Sequence, residues 1–245
     1  MSASGKLWAV VPVGPFAQAK RRLTPCLLPH ERAACARAMF EDVLAALVRS
    51  AALAGIVVVT GDADAARMAR AAGAVVLADF ENAGVSAAVE TAARHLVSER
   101  QDGMLVIPAD VPLTTPEDID AIVAAHRAAP SVTLVCASVD GGTNALACSP
   151  PDAIEFRFGA DSFHRHQLAA RERGIEAQVL QLARVGHDID RPEDLAYFMQ
   201  YPSATRSYAC LRAKGIMERL PVTATLEKVH LSQASGATKE RMKCP

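Results

Sequence analysis

The 245-residue chain is 51% hydrophobic and 22% charged, the make-up of a globular domain large enough to bury a full core. A net charge of −1 with 4% aromatic residues excludes the basic stripe and stacking platforms of a nucleic-acid binder, and no apolar run reaches the roughly 20 residues needed to span a bilayer. The six cysteines are scattered without a Cys-x-x-Cys pair and no secretory leader is read at the N-terminus, so reduced thiols in a cytoplasmic protein are expected rather than a disulfide framework or a zinc site.

Residues 7–11 are an apolar run closed by Pro12 and predict a first strand. It leads into a loop, Val13-Gly14-Pro15-Phe16-Ala17-Gln18-Ala19, followed by the cations Lys20, Arg21 and Arg22. Neither a P-loop nor a Gly-x-Gly-x-x-Gly fingerprint occurs. A lysine ending a first-strand loop can neutralise a triphosphate; taken alone, the cations fit a solvated basic cluster better. Over 30–50, the spacing of Met39, Val43, Leu44 and Leu47 predicts a long helix. Strand 56–60, helix 63–72, strand 74–78 and helix 86–99 follow.

A fourth buried strand, 104–107, stops at Pro108-Ala109-Asp110-Val111-Pro112-Leu113. A lone carboxylate past the carboxyl end of a parallel strand lies where open α/β sheets bind ligands, and the flanking prolines fix the path of the chain. The next helix, near 117–128, has its own start signal in Thr115-Pro116-Glu117-Asp118, so Asp110 is not needed as a cap and reads as a metal ligand. Residues 132–137 are β-like. Gly141-Gly142-Thr143-Asn144-Ala145 permits close approach of a ligand or, by itself, a hairpin turn.

Phe158-Gly159-Ala160-Asp161-Ser162-Phe163-His164-Arg165-His166 opens a helix reaching about Arg173. Its start offers N–H groups and a hydroxyl to an anion, unless Asp161 or Ser162 is an ordinary cap. The spacing of His164 and His166 turns the rings apart, against zinc binding. His187-Asp188-Ile189-Asp190 is expected to end a further strand and start a helix. Asp190 with Glu193 fits a capping box, whereas Asp188 has no such explanation. Asp110, Asp188 and Asp190 together suit a Mg²⁺ ion that keeps waters and takes phosphate oxygens.

This βαβα alternation implies an α/β fold of three layers, a mostly parallel sheet wrapped by helices on both faces. It is lost after Tyr201. From Pro202 on, eight Lys or Arg stand against three Asp or Glu, so residues 1–201 are expected to form the domain and 202–245 a basic, flexible C-terminal extension with short helices near Tyr208 to Arg219.

Taken in order, Pro108–Leu113, Asp140-Gly141-Gly142-Thr143-Asn144-Ala145-Leu146, Phe158-Gly159 with Ser162-Phe163 and His166, and Asp188-Ile189-Asp190 resemble the guanylyltransferases that activate a small phosphorylated carboxylic acid for coenzyme F-420 assembly. Trp8, Ala19-Lys20 and Arg22-Leu23 agree, and the resemblance spans residues 7–199. It implies a nucleotide-diphospho-sugar-transferase-like fold and a nucleotidyltransferase domain. The implied reaction moves GMP from GTP to the phosphate of 3-phosphoglycerate, phosphoenolpyruvate or 2-phospholactate, releasing pyrophosphate. Thr143, Gly159 and Ser162 would hold the acceptor, and Asp110, Asp188 and Asp190 would hold Mg²⁺. Lys20 would contact the nucleotide phosphates and act with Asp110 in catalysis, with Arg22, Gly84 and Ser86 on the nucleotide side.

Two positions depart from the family pattern. Gly14 stands where a lysine follows Pro-Val, and Ser86 where an asparagine follows Gly-Leu. They keep a second reading open, a nucleotidyltransferase using CTP or GTP on another acceptor. A third reading is a non-catalytic nucleotide-binding module that recruits a partner through the basic tail; the three aspartates argue against it. The implied partners are GTP and the phospho-acid, with neither nucleic acid nor membrane, a homodimer by default, and hand-over of product to the next enzyme of the pathway.

Overall fold

The structure is a computed structural model and describes residues 6–79, 81–139 and 141–220. One seven-stranded sheet runs in the order β3-β2-β1-β4-β6-β5-β7. Its strands are β1 (Leu7–Val13), β2 (Leu53–Thr60), β3 (Val75–Ala78), β4 (Met104–Val106), β5 (Ser131–Cys136), β6 (Thr143–Ser149) and β7 (Gln178–Leu180). Only β6 opposes its neighbours β4 and β5; every other pairing is parallel.

Interior parallel strands are covered on both faces, which is why β1 and β2 are valine-rich rather than alternating with polar residues. Leu7, Ala9, Val11 and Val13 enter one core with α1 (Pro29–Arg49), α2 (Ala63–Ala71), α4 (Pro116–Ala125) and α6 (Pro192–Gln200). Val10, Val57 and Val59 enter a second core, under α3 (Val85–Ser98) and α5 (Ser162–Glu172). Met39, Phe40, Val43 and Leu47 of α1 are at most 1% exposed, each worth about 1.5–3 kcal/mol of burial. The chain leaves β1 on one side for β2 and β3 and returns on the other as β4. The carboxyl ends of β1 and β4 therefore flank the point where the winding reverses, the position at which such sheets hold ligands.

One open alternative is decided and two local expectations change. The glycine pair is the hairpin turn between β5 and β6, with Gly141 at φ +69°, a conformation that favours glycine. Asp188 and Asp190 do not end a strand: β7 stops at Leu180 and both lie in the connection to α6. The packed structure also does not stop at Tyr201. A further helix, α7 (Arg206–Ala213), and a 3-10 turn, Ile216–Arg219, follow. Leu211 and Ile216 are 0% exposed in the first core.

Polar contacts fasten this basic stretch to α1. The Asp42 carboxylate on α1 accepts from the backbone N–H groups of Arg206 and Ser207, both at 2.8 Å, capping α7 from outside. Arg219 donates to both Glu31 oxygens at 2.8 and 3.0 Å, and holds that carboxyl down to about 2. The rest of the expected extension, 221–245, lies outside the described residues.

Candidate active site

A cleft of about 470 Å³ opens at the carboxyl ends of β1 and β4, lined by Val13, Gly14, Lys20, Asn82, Pro108 and Asp110 among others. Lys20 reaches it through a left-handed backbone, φ 53° and ψ 41°, just before the 3-10 turn Arg21–Leu23. A non-glycine residue in that region costs about 1–2 kcal/mol, offset here by what the side chain meets. The Lys20 Nζ donates to Asp110 Oδ2 at 2.6 Å and lies 3.8 Å from Asp190 Oδ1. Its side chain is 8% exposed. Burial alone would depress the ammonium; Asp110, then Asp190 and Asp188, outweigh burial and hold its pKa above the ordinary 10.5. Arg22 Nη1 donates to the other Asp190 oxygen at 2.5 Å. Of the consecutive cations, Lys20 is thus buried in the site and Arg22 reaches in from solvent.

The connection carrying Asp188 and Asp190 is tied down on three sides. The Ile189 N–H donates to the Asp110 carbonyl at 3.0 Å, fastening the two acidic loops together. Asn144 Nδ2 donates to Asp188 Oδ1 at 3.0 Å. Arg184 grips the Asp118 carboxylate of α4 with two bonds of 2.7 Å. The cap of α6 is Asp194, not Glu193: its carboxylate accepts from the N–H groups of Arg191 and Asp190 at 2.9 and 3.3 Å. The Asp190 side chain is thereby left to the cations.

Thr143 and Ser162 meet in a second, buried group. Ser162 Oγ donates to Thr143 Oγ1 at 3.2 Å, and His166 Nδ1 lies 3.0 Å from the same oxygen. A β-bulge makes this meeting possible. Cys136 pairs with Thr143 and Val135 with Ala145, so Asn144 is the extra residue. Plain alternation would put Thr143 on the face of Ala145 and Ala147, in the first core, away from α5. The bulge turns Thr143 towards α5 and Asn144 towards Asp188, so adjacent residues serve the two halves of the site. Gly159, at φ +116°, accepts from the Ser162 N–H at 3.1 Å; the Phe163 N–H donates to Gly141 at 3.1 Å. Asp161 makes no side-chain cap on α5.

On the expected nucleotide side, Gly84 is the N-cap of α3 at a positive φ of +98°. Ser86 instead accepts from the Phe158 N–H at 2.9 Å, bracing the segment that carries Gly159. A side chain on Gly14 would start 3.7 Å from Asn82 Oδ1, so the cleft has room where the family pattern carries lysine.

Among the described residues, no three His, Cys, Asp or Glu side chains stand together as a ready-made metal site, and the expected trio of aspartates does not form one. Asp188 is drawn off by Asn144, whereas Asp110 and Asp190 converge on one ammonium. Two hard oxygen donors beside an open cleft do fit an ion that takes its other ligands from water and phosphate. Asn144, Arg184 and His166 were not foreseen as site residues. Asn144 and His166 carried a signal, their places in the quoted motifs, and Arg184 carried none. Among the described residues, no helix is long and apolar enough to cross a membrane.

Known proteins resemble this chain in fold and in sequence. A solved structure from Desulfovibrio desulfuricans G20, named for the nucleotide-diphospho-sugar transferases, superposes with a TM-score of 0.69 at 18% identity, covering 88% of this chain and 98% of that one. It shows the fold. Phosphoenolpyruvate guanylyltransferase of Conexibacter woesei is 32% identical over 87% of this chain and 96% of its own length. The 3-phospho-D-glycerate guanylyltransferase of Colwellia psychrerythraea is 37% identical over 76% of this chain and 88% of its own. The model for guanylyl transferases of the CofC-like type matches residues 7–231, reaching past Tyr201 through α7, and the chain belongs to that family.

Proposed function

We propose that this protein transfers GMP from GTP to the phosphate of a small phosphorylated carboxylic acid, with release of pyrophosphate, as a cytoplasmic step in coenzyme F-420 assembly that hands its product to the next enzyme. The observation that carries the reading is the pairing of two groups across one bulge: a lysine-centred carboxylate cluster at the switch-point cleft, and the Thr143–Ser162 hydroxyl pair linked to it through Asn144 and Asp188. Family membership supports the nucleotide and the class of acceptor. Among the described residues five cysteines are free of disulfides, which supports a reducing compartment.

In this reaction an acceptor phosphate oxygen attacks the α-phosphorus of GTP. A new P–O bond forms while the bond to the bridging oxygen breaks and pyrophosphate leaves. A phosphate monoester is already ionised near neutrality, so no general base is required. The obstacle is bringing two polyanions together in line. Lys20, kept protonated by its carboxylates, offers positive charge to the leaving phosphates, and Arg22 adds a second cation at the rim. Thr143, Ser162 and the Gly159 backbone orient the acceptor. Asp110 and Asp190 would hold Mg²⁺, whose chemistry is to neutralise charge on phosphate oxygens.

The test is pyrophosphate release with mass spectrometry of the product, using Mg²⁺ and GTP, CTP or ATP against 3-phosphoglycerate, phosphoenolpyruvate and 2-phospholactate. A guanylylated acid is the expected product. A cytidylylated product would reassign the base, and nucleotide binding without transfer to any acid would sink the acceptor class.

A further inference from the structure

We infer that His166 is a positioning residue for the acceptor: held as the neutral Nδ1–H tautomer, it donates to Thr143 and forces the Thr143 hydroxyl to donate outward, to an anionic oxygen of the phospho-acid. The inference rests on the reading of Thr143 and Ser162 as acceptor-binding residues.

The tautomer follows from hydrogen-bond accounting. The Arg157 backbone N–H points at His166 Nε2 at 3.0 Å. A backbone N–H has only a proton to offer, so Nε2 is the bare acceptor nitrogen and the ring's single proton is on Nδ1. Nδ1 lies 3.0 Å from Thr143 Oγ1. The ring is 0% exposed, and burial, then the nearby Arg165 charge, push its pKa down to about 4. A second proton on Nε2 would also face the Arg157 N–H head-on. The ring is therefore neutral at working pH.

Thr143 Oγ1 then receives two protons, one from His166 and one from Ser162 Oγ at 3.2 Å. A hydroxyl has two lone pairs, and both are filled. Its own proton finds no acceptor among the described residues, although Thr143 is only 5% exposed. Such a hydroxyl discriminates by chemistry: it rewards an oxygen that can only accept, as on phosphate or carboxylate, and rejects a donor. Two backbone donors at the start of α5 are already spent, the Ser162 N–H on Gly159 and the Phe163 N–H on Gly141. That raises the share of acceptor recognition falling on Thr143.

Two measurements test this. Long-range proton–nitrogen NMR correlations on histidine-labelled protein are expected to show His166 neutral and protonated on Nδ1 between pH 6 and 8. An Nε2–H tautomer, or an imidazolium in that range, would overturn the inference whether or not transfer is observed. In the transfer assay, His166→Ala is expected to raise the KM for the phospho-acid about tenfold with the KM for GTP unchanged. His166→Asn, which can place an amide N–H near the Nδ1 position, recovers most of the loss, and Thr143→Val combined with His166→Ala is no worse than Thr143→Val alone. Equal effects on both substrates, or additive losses in the double variant, would make His166 a packing residue only. Where His166→Ala does not fold, the NMR result and the Asn variant decide. Wild-type protein that transfers to no acid would overturn the proposed function, leaving the tautomer to be judged by NMR alone.

Discussion

Lys20 and Asp110 are 90 residues apart in sequence and 2.6 Å apart in space, and the carboxylate offsets the cost of burying the ammonium. Asp110 was legible because a carboxylate between prolines, just past an apolar strand, has no local structural task. Lys20 was legible only through the family resemblance: among consecutive cations nothing local distinguishes the buried one, because its burial comes from a left-handed turn and from loops far along the chain. Replacing Asp110 with Asn removes the nearest counter-charge while preserving shape. The remaining attraction from Asp190 and Asp188 opposes the same burial, so the Lys20 pKa falls. Turnover of Asp110→Asn is expected to drop by orders of magnitude with melting temperature shifted by only a few degrees. Pyrophosphate release and a thermal melt check both; near wild-type turnover would remove Asp110 from the chemistry.

Strands β1 to β5 and helices α1 to α5 were legible from apolar spacing or start signals, and the sheet order places β1 and β4 as a wound α/β sheet requires. What escaped were the strands β6 and β7, the bulge at Asn144, and the connection after β7 that looked like a strand end. A bulge has no periodic signature, since one extra residue shifts parity without changing composition. The connection owes its shape to long-range partners, above all Arg184 on Asp118, a carboxylate whose side chain is 5% exposed. Arg184→Ala leaves that carboxylate with the Thr115 cap bonds and releases one anchor of the Asp190 segment. A loss of about 1–3 kcal/mol in urea unfolding is expected, with reduced turnover. Arg184→Lys should restore only part of both, because an ammonium cannot make the paired bonds of a guanidinium. Full recovery with lysine would show that charge alone, not the fork, holds the loop.

At the scale of the whole molecule, the end of the domain was misread because charge balance is a poor guide to packing. Arg206 and Arg219 spend their charge on Glu41 and Glu31 of α1 while Leu211 fills the core between them. Leu211→Ala is expected to cost about 2–5 kcal/mol, read from urea midpoints; a cost near zero would return this helix to the status of an appendage. Two histidines at opposite ends of the β5–β6 hairpin contribute to the response of the fold to acid. His126 lies between Thr133 and Ser149 at 3.0 and 3.1 Å, and His166 lies against Thr143. Burial pushes each from 6.5 down to about 4. The unfolded chain takes up these protons near pH 6.5 and the folded chain only near pH 4, so their contribution is complete above 6.5 and is lost as pH falls between those values. Each adds a slope of at most about 1.4 kcal/mol per pH unit within that window. Glu31, held near 2 chiefly by hydrogen bonds from Arg219, acts lower: its contribution is present above 4.5 and is lost on the way down to 2. Urea midpoints measured from pH 7 to pH 4.5 should therefore fall steeply, and His126→Gln should roughly halve the slope while lowering the plateau at pH 7. An unchanged slope in that variant would show that His126 is already protonated in the fold.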